Sequence, residues 1–166
     1  EEAKDRIFLA PAIGIIYATS YEAGDWGITP EVVERMGLIP MMERSQEVHQ
    51  EMRKRGLRVL PGGEYGFAWI PMGTDSRDFE HFVNLMGFEP WEVLRAATAY
   101  GGEAFMGDKM GEIKEGFLSD IIIIDGDPLA DITLFQDRNN ILAIMKDGQF
   151  HKPFQGRAVQ EQRQVA

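Results

Sequence analysis

The feature that most restricts the fold of this chain is a change of periodicity near residue 106. Before this point, short apolar runs alternate with segments whose apolar residues recur at helical spacing. After it, short β-rich runs are separated by glycine and aspartate turns. This order predicts an α/β part over residues 1–106 and β strands over 107–154, with a polar tail at 155–166. Two α/β units alone do not close an eight-stranded barrel, which takes about 250 residues.

The α/β part contains two predicted strands, and both are short, apolar and soon followed by proline. They cover residues 7–10 and 57–60, and the first leads into a loop that includes residues 19–29. We expect helices to begin at Pro30, at Pro40, near Asp78 and at Pro90. In the helix near Asp78, one face is apolar and consists of Phe79, Phe82, Val83 and Met86.

The C-terminal part is predicted to be entirely β. Residues 111–132 indicate two β segments around a glycine turn, and the four isoleucines 121–124 favour a strand buried on both faces. Residues 141–152 predict a β-hairpin with Asp147-Gly148 at its turn.

Composition excludes several classes of function. The net charge of −10 argues against nucleic acid as a partner. The absence of cysteine excludes disulfides and thiolate metal sites and fits a reducing compartment, so we expect a cytoplasmic protein. No run approaches the roughly 18 apolar residues of a membrane span. Because the acidic opening lacks Met and leads straight into a strand, we expect the chain to be a truncated or processed piece.

One long stretch carries a family resemblance. The run WEVLRAATAYGGEAFMGDKMGEIKEGFLSDIIIIDGDPLADI, followed by ILAIMKDGQ, resembles the closing segment of the amidohydrolase superfamily. The likeness is greatest to the branch of imidazolonepropionases and Xaa-Pro dipeptidase-like proteins. It implies an α/β fold, in which the chain is the C-terminal portion of a (β/α)8 TIM-type barrel with strands of a small composite β-sandwich. Barrel strands 7 and 8 would then lie at residues 7–10 and 57–60.

The resemblance also implies hydrolysis of amide or related C–N bonds by water activated on a divalent metal, for which we expect zinc. The family's His-x-His and other metal ligands lie upstream of the matched part, and His49, His81 and His151 are far apart in sequence. The metal site is therefore expected to be incomplete on this chain. An N-terminal barrel half would come from another chain or a missing segment, and a homo-oligomer is compatible with the sequence. The alternative is a non-catalytic fragment or homologue that acts as an assembly or binding module.

Two acids compete for the role of the family's strand-8 aspartate, which contacts the metal and takes the proton of the attacking water. Asp75 lies in GTDS, which looks like the family signature, whereas Glu64 lies in GGEYG directly after the second strand. The gap of 23 residues from Glu64 to Gly87 resembles the family spacing better than the 12 from Asp75 to Gly87. We therefore favour Glu64 as metal ligand and base and keep Asp75 as the second candidate. Otherwise Glu64 is a solvated turn residue and Asp75 an Asx-turn acid.

Four further residues are candidates for substrate binding. Tyr65 and Trp69 follow Glu64 and could line a pocket, although packing of a long loop explains them equally. Arg77 could bind a substrate carboxylate, or pair with Asp78 or Glu80. His81 could reach the mouth of the site, or be a surface or core-edge histidine.

Overall fold

The computed structural model describes residues 4–106 and 109–154. It contains an α/β part, with strands β1 and β2 and helices α1 to α6, and a β part with strands β3 to β5. The helices are α1 Ile13–Tyr21, α2 Pro30–Met36, α3 Leu38–Lys54, α4 Arg77–Asn84, α5 Pro90–Arg95 and α6 Gly101–Met106. The strands are β1 Phe8–Leu9, β2 Arg58–Val59, β3 Ile121–Ile124, β4 Ile141–Lys146 and β5 Gln149–Lys152. None of the helices in these described ranges is long and apolar enough to cross a membrane.

The two predicted strands of the α/β part pair in parallel. Phe8 lies opposite Arg58 and Leu9 opposite Val59. The parallel strands are connected through α1, α2 and α3, as a crossover requires. Both strands are shorter than predicted, because the regular ladder covers only the two central residues of each run.

The prediction of a loop after β1 is wrong over Ile13–Tyr21, where the structure has helix α1. The run IGIIYATSY is apolar on nearly every side, so it has almost no amphipathic helical pattern. Its isoleucines also favour strands over helices. Packing decides the outcome, because Ile13 and Ala18 of this helix are almost completely buried.

The core of the α/β part lies between the strands and the helices. Its buried members are Ile13, Met42, Val59, Phe82, Met86, Phe88 and Val93. The predicted apolar face of α4 is confirmed at Phe82, which is fully buried, and at Phe79 and Val83, which pack against the same cluster. Met86 is also fully buried, but it lies just beyond the end of α4. Helices α5 and α6 are joined by a π-helical turn, Ala96–Tyr100, which makes one long helical segment.

The β part contains one antiparallel sheet in the order β3–β4–β5. The predicted hairpin is confirmed: Asp147 and Gly148 both have positive φ, 48° and 74°, as a type I′ turn requires. The first of the two β segments predicted in 111–132 is wrong, because β3 is the strand found there.

The burial predicted for β3 is also wrong. Ile122 and Ile123 are 55% and 40% exposed. The described part of the chain supplies only one sheet here and no layer to cover its second face. The tail predicted at 155–166 lies outside the described residues.

Candidate active site

The carboxyl ends of β1 and β2 meet, and this junction positions the candidate residues. Beyond the ladder, Leu60 N–H donates to the Leu9 carbonyl at 2.8 Å and Ala12 N–H donates to the Gly62 carbonyl at 3.1 Å. The two segments that leave the strands therefore start side by side. In parallel α/β structures, ligand sites lie at this edge of the sheet.

Glu64 follows this junction directly, after Pro61, Gly62 and Gly63. Glu64 is exposed, and its side chain makes no hydrogen bond or ion pair with the described part of the chain. A carboxylate without an internal partner at the tip of a strand is free to accept a metal ion or a proton.

Asp75 lies further along the same connection, close to the start of α4. Its Oδ2 accepts from Gly73 N–H at 3.0 Å, and Thr74 Oγ1 donates to the Pro71 carbonyl at 2.7 Å. The side chain therefore stabilises a local turn, which is the structural role considered for Asp75 from the sequence. The residue is exposed.

Asp78 is the acid that the sequence did not single out. It lies in the first turn of α4, yet it is only 2% exposed, and its Oδ1 has no hydrogen-bond partner among the described residues. Burial is the largest cause that raises the pKa of Asp78, while hydrogen bonds from Tyr65 and the Gly62 backbone act against it. Nothing in a short polar helix start distinguishes a buried aspartate from an exposed one.

Tyr65 lies between the two aspartates. Its hydroxyl donates to the Asp75 carbonyl at 3.2 Å and also contacts the Asp78 carboxyl. Burial, followed by the hydrogen bond with Asp78, strongly raises the pKa of Tyr65, so the phenol is neutral at physiological pH. Tyr65 therefore connects the segment after β2 to the start of α4.

An aromatic cluster stands on the same loop. Trp69 Nε1 donates to Thr19 Oγ1 at 3.0 Å, which ties the loop to α1. The Trp69 ring stacks on Phe67, with centroids 5.4 Å apart, and lies 6.4 Å from the Trp26 ring. Trp26 and Phe67 are 49% and 43% exposed. The sequence did not point to Trp26, because it is 43 residues from Trp69 in the chain.

Arg77 and His81 lie on α4, facing α1. Arg77 forms a bidentate ion pair with Glu22, with N–O distances of 2.9 and 2.5 Å, and not the predicted pair with Asp78 or Glu80. The His81 ring lies 4.6 Å from the Tyr17 ring and is 7% exposed. Burial, and then the Arg77 charge, lower the pKa of His81.

The described residues contain no group of three or more His, Asp or Glu side chains that could hold a metal ion. Glu64 is thus a single candidate ligand. A cavity of about 150 Å³ lies elsewhere, between Arg53, Phe88 and Trp91. It borders Gly56 and Leu57 at the amino end of β2, so it does not belong to the candidate site.

Comparisons with known proteins place the chain in a family. A family model described as the amidohydrolase family matches residues 62–150, which is more than half of the chain. Ochratoxinase from Aspergillus niger is 29% identical over 111 residues, covering 64% of this chain and 22% of that protein. A 5′-deoxyadenosine deaminase from Methanopyrus kandleri is 41% identical over 49 residues, covering 28% of this chain and 11% of that protein.

Solved structures share the fold. The crystal structure of A. niger ochratoxinase has a TM-score of 0.73 at 22% identity and covers 88% of this chain and 32% of its own. A Xaa-Pro dipeptidase with bound methionine has a TM-score of 0.71 at 22% identity, with coverages of 92% and 37%. For a putative prolidase from Bifidobacterium longum the TM-score is 0.73 at 21% identity, with coverages of 95% and 39%.

The chain therefore spans between about a tenth and two fifths of the length of these relatives. Its fold is an α/β fold similar to that of amidohydrolase barrel proteins, with an additional β-sheet region. The match of the family model over residues 62–150 includes Glu64, Asp75, Asp78 and strands β3 and β4. By this match the chain belongs to the amidohydrolase family.

Proposed function

We propose that this chain is the C-terminal part of a metal-dependent hydrolase that cleaves amide or related C–N bonds with metal-activated water. The observation that carries the proposal is Glu64, an exposed carboxylate without an internal partner at the joined carboxyl ends of β1 and β2. The amidohydrolase family match supports the reaction class. The names of the relatives, ochratoxinase and Xaa-Pro dipeptidase, agree with hydrolysis of small-molecule amides.

The chemistry of Glu64 fits a divalent metal, for which zinc is our proposal. Carboxylate oxygen is a common zinc ligand, and Glu64 has no competing cation among the described residues. A bound zinc ion would lower the pKa of a water molecule towards 7. Since no group of three candidate ligands exists in the described residues, the other ligands come from outside them.

The residues of the chain would then have separate tasks. Glu64 accepts the proton of the attacking water as general base, with Asp75 as the second candidate for this role. Trp69 and its aromatic neighbours offer an apolar surface for an apolar group of the substrate, and Tyr65 borders the same segment. Arg77 would bind a substrate carboxylate only by releasing Glu22. His81 would contact substrate only through its small exposed fraction.

The missing ligands and strands would be supplied by an N-terminal barrel half. The two-stranded sheet β1–β2 has two outer edges that are not paired with another described strand, so each edge can accept a neighbour. Exposed Ile122 and Ile123 in turn fit a covering layer of a composite sandwich. We propose a cytoplasmic location, since this chain contains no cysteine, which fits a reducing compartment.

A second function is favoured by one observation: the candidate base is glutamate where the resemblance leads us to expect aspartate. The additional methylene moves the carboxylate by about 1 Å, and a displacement of this size can reduce a rate by about 100-fold. A non-catalytic homologue that serves as an assembly or binding module would tolerate such a change. The two functions differ in whether turnover depends on Glu64.

The test is hydrolysis of a panel of dipeptides and N-acyl amino acids by the complete protein that contains this chain. We expect turnover that a chelator abolishes and zinc restores. Glu64→Gln should reduce kcat by about 100-fold or more through loss of the base, since general bases contribute about 10² to 10⁴. Glu34→Ala, a change of an exposed acid on α2, is the matched control and should leave kcat unchanged. Metal-independent turnover, or full activity of Glu64→Gln, would contradict the proposal.

A further inference from the structure

Asp78 occupies an unusual place for an aspartate. It is 2% exposed, although it lies in the first turn of a helix that borders a solvent-facing loop. Aspartate is seldom fully buried unless it is paired, and burying a polar group without partners costs free energy. Oδ1 has no hydrogen-bond partner among the described residues. Its burial therefore calls for a role beyond filling the core.

Two glycines from different segments enclose the carboxyl group. A Cβ atom on Gly14, in the first turn of α1, would lie 2.5 Å from Asp78 Oδ1. A Cβ atom on Gly63 would lie 3.1 Å from Asp78 Oδ2 and 2.5 Å from Tyr65 Cε2. Any larger residue at either position would collide with this arrangement. The carboxyl group is thus held between the start of α1 and the segment that follows β2.

The hydrogen bonds of Asp78 go to that same segment. The Gly62 backbone N–H donates to the carboxyl group, and the Tyr65 hydroxyl contacts it. Tyr65 also donates to the Asp75 carbonyl at 3.2 Å. The Tyr65 hydroxyl thus has two acceptors within reach, the Asp78 carboxyl group and the Asp75 carbonyl. Asp78 therefore binds the residues before and after Glu64.

We propose that Asp78 is a positioning residue, which fixes the segment 62–65 at the carboxyl end of β2 and thereby the carboxylate of Glu64. Glu64 follows two consecutive glycines, which have the greatest backbone freedom. Glu64 itself has no internal partner that would hold it in place. The contacts of Asp78 with Gly62 and Tyr65, on either side of Glu64, restrict the backbone of this segment. The consequence for catalysis rests on the role of Glu64 in the proposed function, whereas the structural consequence does not.

The experiment compares four variants of the complete protein. Asp78→Ala removes the anchor, and Asp78→Asn keeps its shape and its ability to accept and donate hydrogen bonds. Gly14→Ala drives a methyl group into Oδ1 while leaving Asp78 in place. Asn84→Ala, a change of an exposed residue on the same helix, is the control. Each variant is measured by amide ¹H–¹⁵N spectra of Gly62 and Gly63 and by kcat and KM on the best amide substrate.

We expect Asp78→Ala and Gly14→Ala to shift the Gly62 and Gly63 resonances and to reduce kcat by about 10-fold to 100-fold, with KM within about twofold. Asp78→Asn should restore both the resonances and kcat to within about threefold of wild type. Should Asp78→Ala not fold, Asp78→Asn and Gly14→Ala give the same comparison.

Unchanged glycine resonances in both Asp78→Ala and Gly14→Ala would overturn the proposal. So would an Asp78→Asn variant as impaired as Asp78→Ala. The resonances could shift in Asp78→Ala and return in Asp78→Asn although the protein has no hydrolase activity. This result would support the positioning role and would contradict only the proposed function. Normal kcat in Asp78→Ala, in a protein that hydrolyses amides, would remove the positioning role alone.

Discussion

The ion pair between Arg77 and Glu22 gives a prediction that bears on both stability and substrate binding. The guanidinium and carboxylate meet in a bidentate arrangement, with distances of 2.9 and 2.5 Å, and join α4 to the end of α1. Their side chains are 29% and 33% exposed, so the pair is partly screened by solvent. Exposed pairs contribute about 0.2–1 kcal/mol, and breaking a fully buried pair costs about 3–5 kcal/mol. We expect a coupling free energy of about 1.5 kcal/mol, between these limits.

The measurement is a double-mutant cycle with Glu22→Gln and Arg77→Gln, by urea unfolding at pH 7. The exposed pair Arg44–Glu47 is the matched control: its N–O distance is 2.9 Å, but its side chains are 74% and 68% exposed. Its coupling should stay below about 0.5 kcal/mol. Equal couplings for the two pairs would refute the reasoning and would leave Arg77 free to bind a substrate carboxylate.

The pH dependence of this coupling follows from Glu22. The hydrogen bond from Arg77 is the largest cause that lowers the pKa of Glu22. A carboxyl group whose pKa is lowered by folding stabilises the protein above its unfolded pKa, and this stabilisation is lost as the pH falls through the folded value. The coupling should therefore be full at neutral pH and decrease below about pH 4. A coupling that persists in strong acid would contradict this assignment.

Three further predictions follow from burial and backbone conformation. Phe82→Ala removes a fully buried ring whose centroid lies 5.0 Å from that of Phe88, and it should lower the free energy of unfolding by about 3–5 kcal/mol. The control is Phe150→Ala, since Phe150 is 54% exposed, and it should lower the free energy of unfolding by less than about 1 kcal/mol. Both values are measured by urea unfolding. Because burial raises the pKa of Asp78, the stabilisation from its neutral form is full in acid and is lost as the pH rises through the folded pKa. Asp78→Asn should therefore gain stability relative to wild type between pH 4 and pH 7, and a constant difference would count against the burial argument. Gly148→Ala places a side chain at φ 74° in the β4–β5 turn and should lower the free energy of unfolding by about 1 kcal/mol, as measured by thermal unfolding. Gly24→Ala, where a Cβ meets open space, is the control and should lower it by less.

The parts of the fold that were predicted correctly have strong local signals. Asp147-Gly148 between apolar runs predicts a hairpin because few other residues accept two successive positive φ angles. The sequences at Pro30 and Pro90 start helices because proline fits the first helical turn. In each case the physical cause lies within a few residues.

The parts that were predicted wrongly depend on contacts between distant segments. Helix α1 is an isoleucine-rich run that becomes helical through packing of Ile13 against the core. The exposure of Ile122 and Ile123 depends on whether a covering layer exists, which a run of four isoleucines does not reveal. Local composition could not have decided either outcome.

The candidate site divides in the same way. A resemblance and a spacing point to Glu64 in the sequence, and its role in the site stays a prediction. Asp78 could not be predicted, because its burial arises from Gly14, which lies 64 residues earlier in the chain. The pairing of Arg77 with Glu22 was likewise not predictable, because Glu22 lies 55 positions earlier in the chain. Nearby acids such as Glu80 were the natural expectation, although the fold directs Arg77 towards α1.

The central claim is that this chain contributes a metal-binding carboxylate to an amide hydrolase. Native mass spectrometry of the complete protein and its Glu64→Ala variant tests this claim most directly. Each sample is compared with its denatured intact mass in a metal-retaining buffer. We predict that the wild type carries bound divalent metal together with the remainder of the barrel, and that Glu64→Ala retains the assembly but carries less metal. A wild-type assembly without metal, or a variant with an unchanged metal content, would contradict the account and would favour the binding module.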